Sequence, residues 1–164
     1  ALNLYTLGYD NEKSLTTLNL ATKNNLMTYL EQFRMLTDAI NIKDAFVINF
    51  SLDFEIITFK NYNNQDVLIN CINELKSFFN IEKWQINQPI NISEVYNAIA
   101  GVGGVQSIVD ISFNNKSGLS QGYSLYKYSF NKATKDEIIY PSMDPSIFEL
   151  KYPNTDINGR VTTY

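Results

Sequence analysis

The chain has 164 residues, a net charge of −4, no histidine and a single cysteine, Cys71. That length suits one domain, with or without an extra arm, and the lone cysteine excludes an internal disulfide. The acidic balance, with Arg34 and Arg160 as the only arginines, argues against a surface that tracks nucleic-acid phosphates, and no stretch approaches the ~20 continuous apolar residues of a bilayer-spanning helix.

Residues 1–21 mix leucines with turn formers without a sustained period and read as an extended arm. From Thr22, a predicted N-cap, to Phe33, the spacing of Leu26, Leu30 and Phe33 predicts an amphipathic helix. The run from Phe46 to Phe59 follows. Phe46, Ile48, Phe50, Leu52, Phe54 and Ile56 fall on one parity and Asn49, Ser51, Asp53 and Glu55 on the other, the period-2 pattern of a half-buried strand. This parity predicts that Phe50→Asp unfolds the domain while Ser51→Asp is tolerated.

Beyond the turn at residues 61–64, with Asn64 as cap, Val67, Leu68, Cys71, Ile72, Leu75, Phe78 and Phe79 form one apolar stripe and predict a helix over 65–79. Lys83 to Asn87 reads as a short strand ended by Pro89. Asn91 and Glu94 resemble a capping box that opens a helix through Ile92, Val95, Tyr96 and Ile99, which Gly101 terminates. Val105 to Phe113 then reads as a second major strand with Val105, Val109, Ile111 and Phe113 on one face. The expected fold is α+β: a two-layer sandwich with a mainly antiparallel sheet, helices on one face, and extended β-rich arms at both termini. Its expected divisions are an arm at 1–21, a core at 22–116 and a C-terminal extension at 117–164, packed on the core or on a neighbouring subunit.

Catalytic chemistry finds little to stand on. Asp53 and Glu55 share a strand face and could serve as paired carboxylates, but any solvent-facing strand carries such residues. Asp136, Glu137 and Asp144 lack the spacing of a calcium loop. The run Gly101 to Val105 follows a helix and enters a strand, the reverse of a dinucleotide-binding loop. No catalytic residue, metal ligand or cofactor is therefore assigned. The aromatic segment Tyr123, Tyr126, Tyr128 and Phe130, together with Ile147 and Phe148, is the candidate subunit interface, because tyrosine pairs an apolar body with a polar tip. The same three tyrosines could stack on sugars in a carbohydrate-binding or adhesin-like module, or simply pack a core.

The succession of Tyr29 to Asp38 (YLEQFRMLTD), the long strand, the helix Val67 to Phe79, Ser93-Glu94-Val95-Tyr96 and Gly104-Val105 resembles the C-terminal part of baseplate J-like wedge proteins of T-even-type contractile-tail bacteriophages. The closing run from Pro145 to Arg160 looks like the end of such a subunit, so the resemblance covers roughly residues 22–160. It implies a C-terminal fragment of a non-enzymatic virion protein that assembles in the host cytoplasm. Its implied partners are itself, through homodimer contacts within a ring around the tail hub, and other baseplate wedge proteins. Nucleic acid, membrane, cofactors and small-molecule substrates are not implied.

Overall fold

The computed structural model describes residues 2–33 and 39–162. The chain divides into two compact units, Ala1–Phe46 and Val47–Tyr164, rather than at residues 21 and 116.

In the first unit, β1 (Leu2–Thr6) is followed by a hairpin of β2 (Gly8–Tyr9) and β3 (Leu15–Thr16). Asp10 Oδ1 accepts from the backbone N–H of Glu12 and Ser14, both at 2.9 Å, and this closes the turn. Helix α1 (Leu20–Glu31) is capped by Asn19, whose side chain accepts from Thr22 N, so Thr22 lies inside the helix and does not cap it. The expected break at 21 would therefore cut through this helix. Strand β4 (Ile40–Asp44) then pairs in parallel with β1, from Leu2 opposite Ile40 to Thr6 opposite Asp44. Residues 2–6, 8–9 and 15–16 thus lie in paired strands and 20–21 in the helix, so the segment is not simply an extended arm: β1 has its partner 38 residues away, a distance over which local pattern gives no signal. The part of the YLEQFRMLTD block from Arg34 to Asp38 lies outside the described residues.

The second unit is built on β5 (Phe46–Thr58). After it come α2 (Asn64–Phe78), a 3-10 turn at Ile81–Lys83, β6 (Ile90–Asn91), α3 (Ile92–Ala100) and β7 (Val105–Lys116). The chain continues with α4 (Phe130–Ala133), β8 (Thr134–Lys135), β9 (Ile138–Ile139), β10 (Ser146–Glu149), α5 (Pro153–Asp156) and β11 (Ile157–Val161). Most strand pairings are antiparallel and the class is α+β. Strand β7 runs antiparallel to β5 from Asn49 to Thr58, β11 runs parallel to it from Leu52 to Ile56, and β10 also pairs with β5. Through β10 and β11 the C-terminal region therefore packs on the core by contributing strands to the central sheet itself. A central strand has two edges; β7 fills one, and these proline-broken pieces fill the other.

One face of β5 follows the expected parity. Ile48, Phe50, Leu52, Phe54 and Ile56 are buried under α2 and α3, which pack on each other, α2 also against β11 and α3 against β7. At gross values of about 1.5–3 kcal/mol per fully buried side chain, this face dominates the stabilisation of the unit. The cap of α2 is Asn63, which accepts from Gln65 N and Asp66 N, one residue before the expected Asn64. Asn91 caps α3 and Gly101 closes it as expected.

Three expectations fail for identifiable reasons. The segment 83–87 is not a strand; Trp84 turns inward, stacks on Phe79 and donates its indole N–H to Phe78 O at 3.1 Å. Strand β7 slips register twice, leaving Gln106 and Val109 without partners on β5, so Val109 is exposed and Ile108 takes the place opposite Ile56. Finally, the polar parity of β5 is not uniformly open, because Asn49 and Ser51 are 1 % and 4 % exposed. Ser51→Asp is therefore no longer expected to be tolerated.

Gly104, between α3 and β7, adopts φ +97, and a Cβ there would lie 2.6 Å from Val67 Cγ2 and 2.7 Å from Tyr62 Cδ1. Only glycine allows both that backbone and that approach.

Candidate interaction surfaces

The six candidate interface residues do not form one outward face. Tyr123, Phe130, Ile147 and Phe148 are buried in this chain's own core, whereas Tyr126 and Tyr128 are half-buried. Phe50 is the hub: its ring lies 5.1 Å from Phe79, 5.9 Å from Phe113, 6.1 Å from Phe130 and 6.3 Å from Phe148. The aromatic surplus of the C-terminal region thus finishes the core that β5 begins, and those four side chains are unavailable to a neighbouring subunit in this conformation. The segment 123–129 is also not a strand; its backbone is held by side chains, Ser124 N donating to Asn49 Oδ1 at 2.8 Å and Tyr128 N to Asn115 Oδ1 at 3.1 Å.

Tyr123 sits in a closed polar contact. Its hydroxyl donates to the carboxylate of Asp156, at 2.9 Å and 2.8 Å from the two oxygens, and Asp156 is itself buried. Burial first, and the Asp156 carboxylate second, push the Tyr123 phenol up to about 12. Burial, and then neighbouring Tyr126, also raise the Tyr128 phenol, whose hydroxyl donates to Tyr140 O. With Tyr123 turned inward, the three-tyrosine stacking platform reduces to Tyr126 and Tyr128, whose rings stack on each other at 6.3 Å.

Asn49, Glu149 and Asp156 escaped the sequence reading. Asn49 Nδ2 donates to Glu149 Oε1 at 2.8 Å across 100 residues, and Asn49 O accepts from Asn115 Nδ2 at 3.0 Å. This satisfies the buried polar side of β5 where the C-terminal segment covers it. That the polar parity opens with the uncharged Asn49 and Ser51 ahead of the two acids is the only local hint of this network.

Further along β5 the polar face opens. Asp53 lies between Ser112 of β7 and Asn158 of β11, and Glu55 between Asp110 and Arg160. Asp53 accepts from Asn114 Nδ2 and from Asn158 Nδ2, each at 3.2 Å. Glu55 accepts from Thr162 Oγ1 and pairs with Arg160 Nη2 at 2.9 Å. The Thr162 hydroxyl, followed by the Arg160 guanidinium, holds the Glu55 carboxyl below its ordinary value. A general acid needs the opposite shift to that of Glu55, and the hydrogen bonds of Asp53 and Glu55 to the neighbouring strands form a cross-strand ladder. Among the described residues no group of three or more Cys, Asp or Glu is placed to hold a metal ion, and Asp136 and Glu137 form the tip of the β8–β9 hairpin, both at positive φ. Burial raises the Cys71 thiol to about 11, which matches an inert core position.

Two surfaces remain without a covering element. The first belongs to the N-terminal unit, where only Ile40 and Ala45 are buried among the described hydrophobic residues. Helix α1 buries none of its side chains, and Leu20, Tyr29 and Phe33 are 72 %, 58 % and 70 % exposed. The second is a groove of about 710 Å³ beside β7, with Ile111, Phe113, Phe130 and Ile139 among its apolar lining and Ser112, Ser129 and Asn131 among its polar lining.

Fold and site together define an α+β scaffold with uncovered surfaces. Compared with known proteins, the chain matches no family model and no curated sequence.

Proposed function

We propose that this chain is a structural assembly module of a contractile-tail baseplate wedge, joining copies of itself and other wedge proteins. The observation that carries the assembly reading is the N-terminal unit. A parallel strand pair normally lies buried on both faces, an isolated two-stranded sheet is marginal in water, and units near ~40 residues seldom hold together without a staple or a partner. Here a parallel pair and a twelve-residue helix bury only Ile40 and Ala45 among the described hydrophobic residues. A second protein surface is the natural cover for the apolar side chains left exposed. The assignment to a baseplate wedge rests on the collinear sequence resemblance, which supplies the identity of the partners.

Sedimentation velocity over a concentration series tests the proposal. The chain is expected to self-associate or to co-sediment with other wedge proteins, and the double substitution Leu20→Lys with Tyr29→Lys is expected to weaken that association while Cys71 stays protected. A chain that remains monomeric throughout and binds no wedge protein overturns the proposal. Weak isolated association is compatible with it, because a ring multiplies modest contacts through multivalency.

A further inference from the structure

Strand β7 pairs only with β5, and from Gln106 to Asn114 its backbone has no other hydrogen-bond partner among the described residues. A strand edge of this kind is a template for another chain unless something blunts it. The two register slips blunt the half that contains Gln106 and Val109. The half from Asp110 to Asn114 pairs with β5 without interruption, and residues 111–114 line the 710 Å³ groove. We propose that this half-edge is a docking site for an extended polypeptide segment, added to the sheet as a further strand with a lysine or arginine opposite Asp110.

Charge complementarity fixes the occupant. Across the sheet, Arg160, Glu55 and Asp110 stand in one row on the polar face. Arg160 neutralises Glu55 at 2.9 Å, whereas the exposed Asp110 carboxylate has no hydrogen-bond or ion-pair partner among the described residues. Two carboxylates directly opposite one another are unfavourable, and a cation on the open side of Asp110 relieves that repulsion. The row then reads cation, anion, anion, cation.

Alternation along the incoming strand sets the remainder of its pattern. Positions opposite Ser112 and Asn114 share the polar face with the cation, while positions opposite Ile111 and Phe113 share the face of those two half-buried side chains along the groove. The expected sequence is basic, apolar, polar, apolar, polar over five residues, a span of about 17 Å. Main-chain hydrogen bonds provide the general affinity and the alternating side chains provide selection. The site lies wholly in the second unit and stands whether or not residues 2–46 dock a partner.

The test is a positional-scanning library of acetylated and amidated heptapeptides against the full-length chain. Binders are expected to carry lysine or arginine at one position with an apolar neighbour and the alternation above. Asp110→Asn should abolish the preference for a cation at that position, and Asp110→Lys should replace it by a preference for aspartate or glutamate. The affinity of the best basic peptide should fall about two- to fivefold with Asp110→Asn. Methylating alternate backbone amides of that peptide should remove binding. Asp110 is exposed, so both variants should keep the native fold, checked by protection of Cys71 from thiol reagents. No bound peptide, the same charge preference in Asp110→Lys, or full binding by the methylated peptide overturns the proposal.

Discussion

Tyr123 and Asp156 show how one residue's environment can be read as a stability term. The Asp156 carboxylate is buried, and the Tyr123 hydroxyl is its side-chain hydrogen-bond donor. Tyr123→Phe keeps the ring but strips that donor from a buried charge, so a loss of about 1.5–3 kcal/mol is expected in urea unfolding at neutral pH. The pH dependence has a definite sign. The folded-state value of Tyr123, about 12, lies above its ordinary value of 10, so the folded chain binds the proton more tightly than the unfolded one. This contribution is complete below pH 10 and disappears as pH rises through 12. Unfolding midpoints measured across that window should fall less steeply in Tyr123→Phe than in the parent chain; parallel slopes would show that Tyr123 does not titrate as its surroundings require. Nothing local in the sequence marks this pair, because its members are 33 residues apart and an aromatic-rich segment reads the same way whether its tyrosines face inward or outward.

At the scale of elements, β5 and α2 were legible because each repeats its own period long enough to separate two faces. The face opposite the helices was only half legible. Parity assigns Asn49, Ser51, Asp53 and Glu55 to one side, but whether that side meets water depends on chain arriving about 75 to 100 residues later. Ser124 and Glu149 cover the beginning of the strand, and the Asp53 and Glu55 end is left as an open ladder. Ser51→Asp should consequently behave like Phe50→Asp, each placing a carboxylate at a site no more than 4 % exposed, with a loss of about 3 kcal/mol or more. Ser107→Asp, on an exposed position of β7, should change stability by no more than about 0.5 kcal/mol. Thermal melts of the three variants decide the matter, and a neutral Ser51→Asp would mean that the C-terminal segment does not cover β5. The bulges of β7 were illegible for a different reason. A slip of one residue leaves the composition of a strand unchanged while moving Val109 outward and Ile108 inward.

The whole molecule is uneven in how firmly it is held. Every described buried hydrophobic residue except Ile40 and Ala45 lies in the second unit, around Phe50 and the α2–α3 layer. The first unit relies on the β1–β4 ladder and on the ion pair of Lys23 with Asp44 at 2.8 Å, a partly exposed pair worth at most about 1 kcal/mol. Native-state hydrogen exchange should therefore resolve two classes of amide. Those of β5 and α2 should exchange only through global opening, while those of β1, α1 and β4 should exchange through local opening of much lower free energy. Concentration adds a second axis. If the N-terminal unit is an assembly surface, its amides should gain protection as the chain is concentrated, by mass action on the associated form, while β5 should change far less because it is already protected within one subunit. Uniform protection of both units in dilute solution would mean that the N-terminal unit has a core of its own. Low, concentration-independent protection would instead detach it from self-assembly and leave a different protein as the cover it requires.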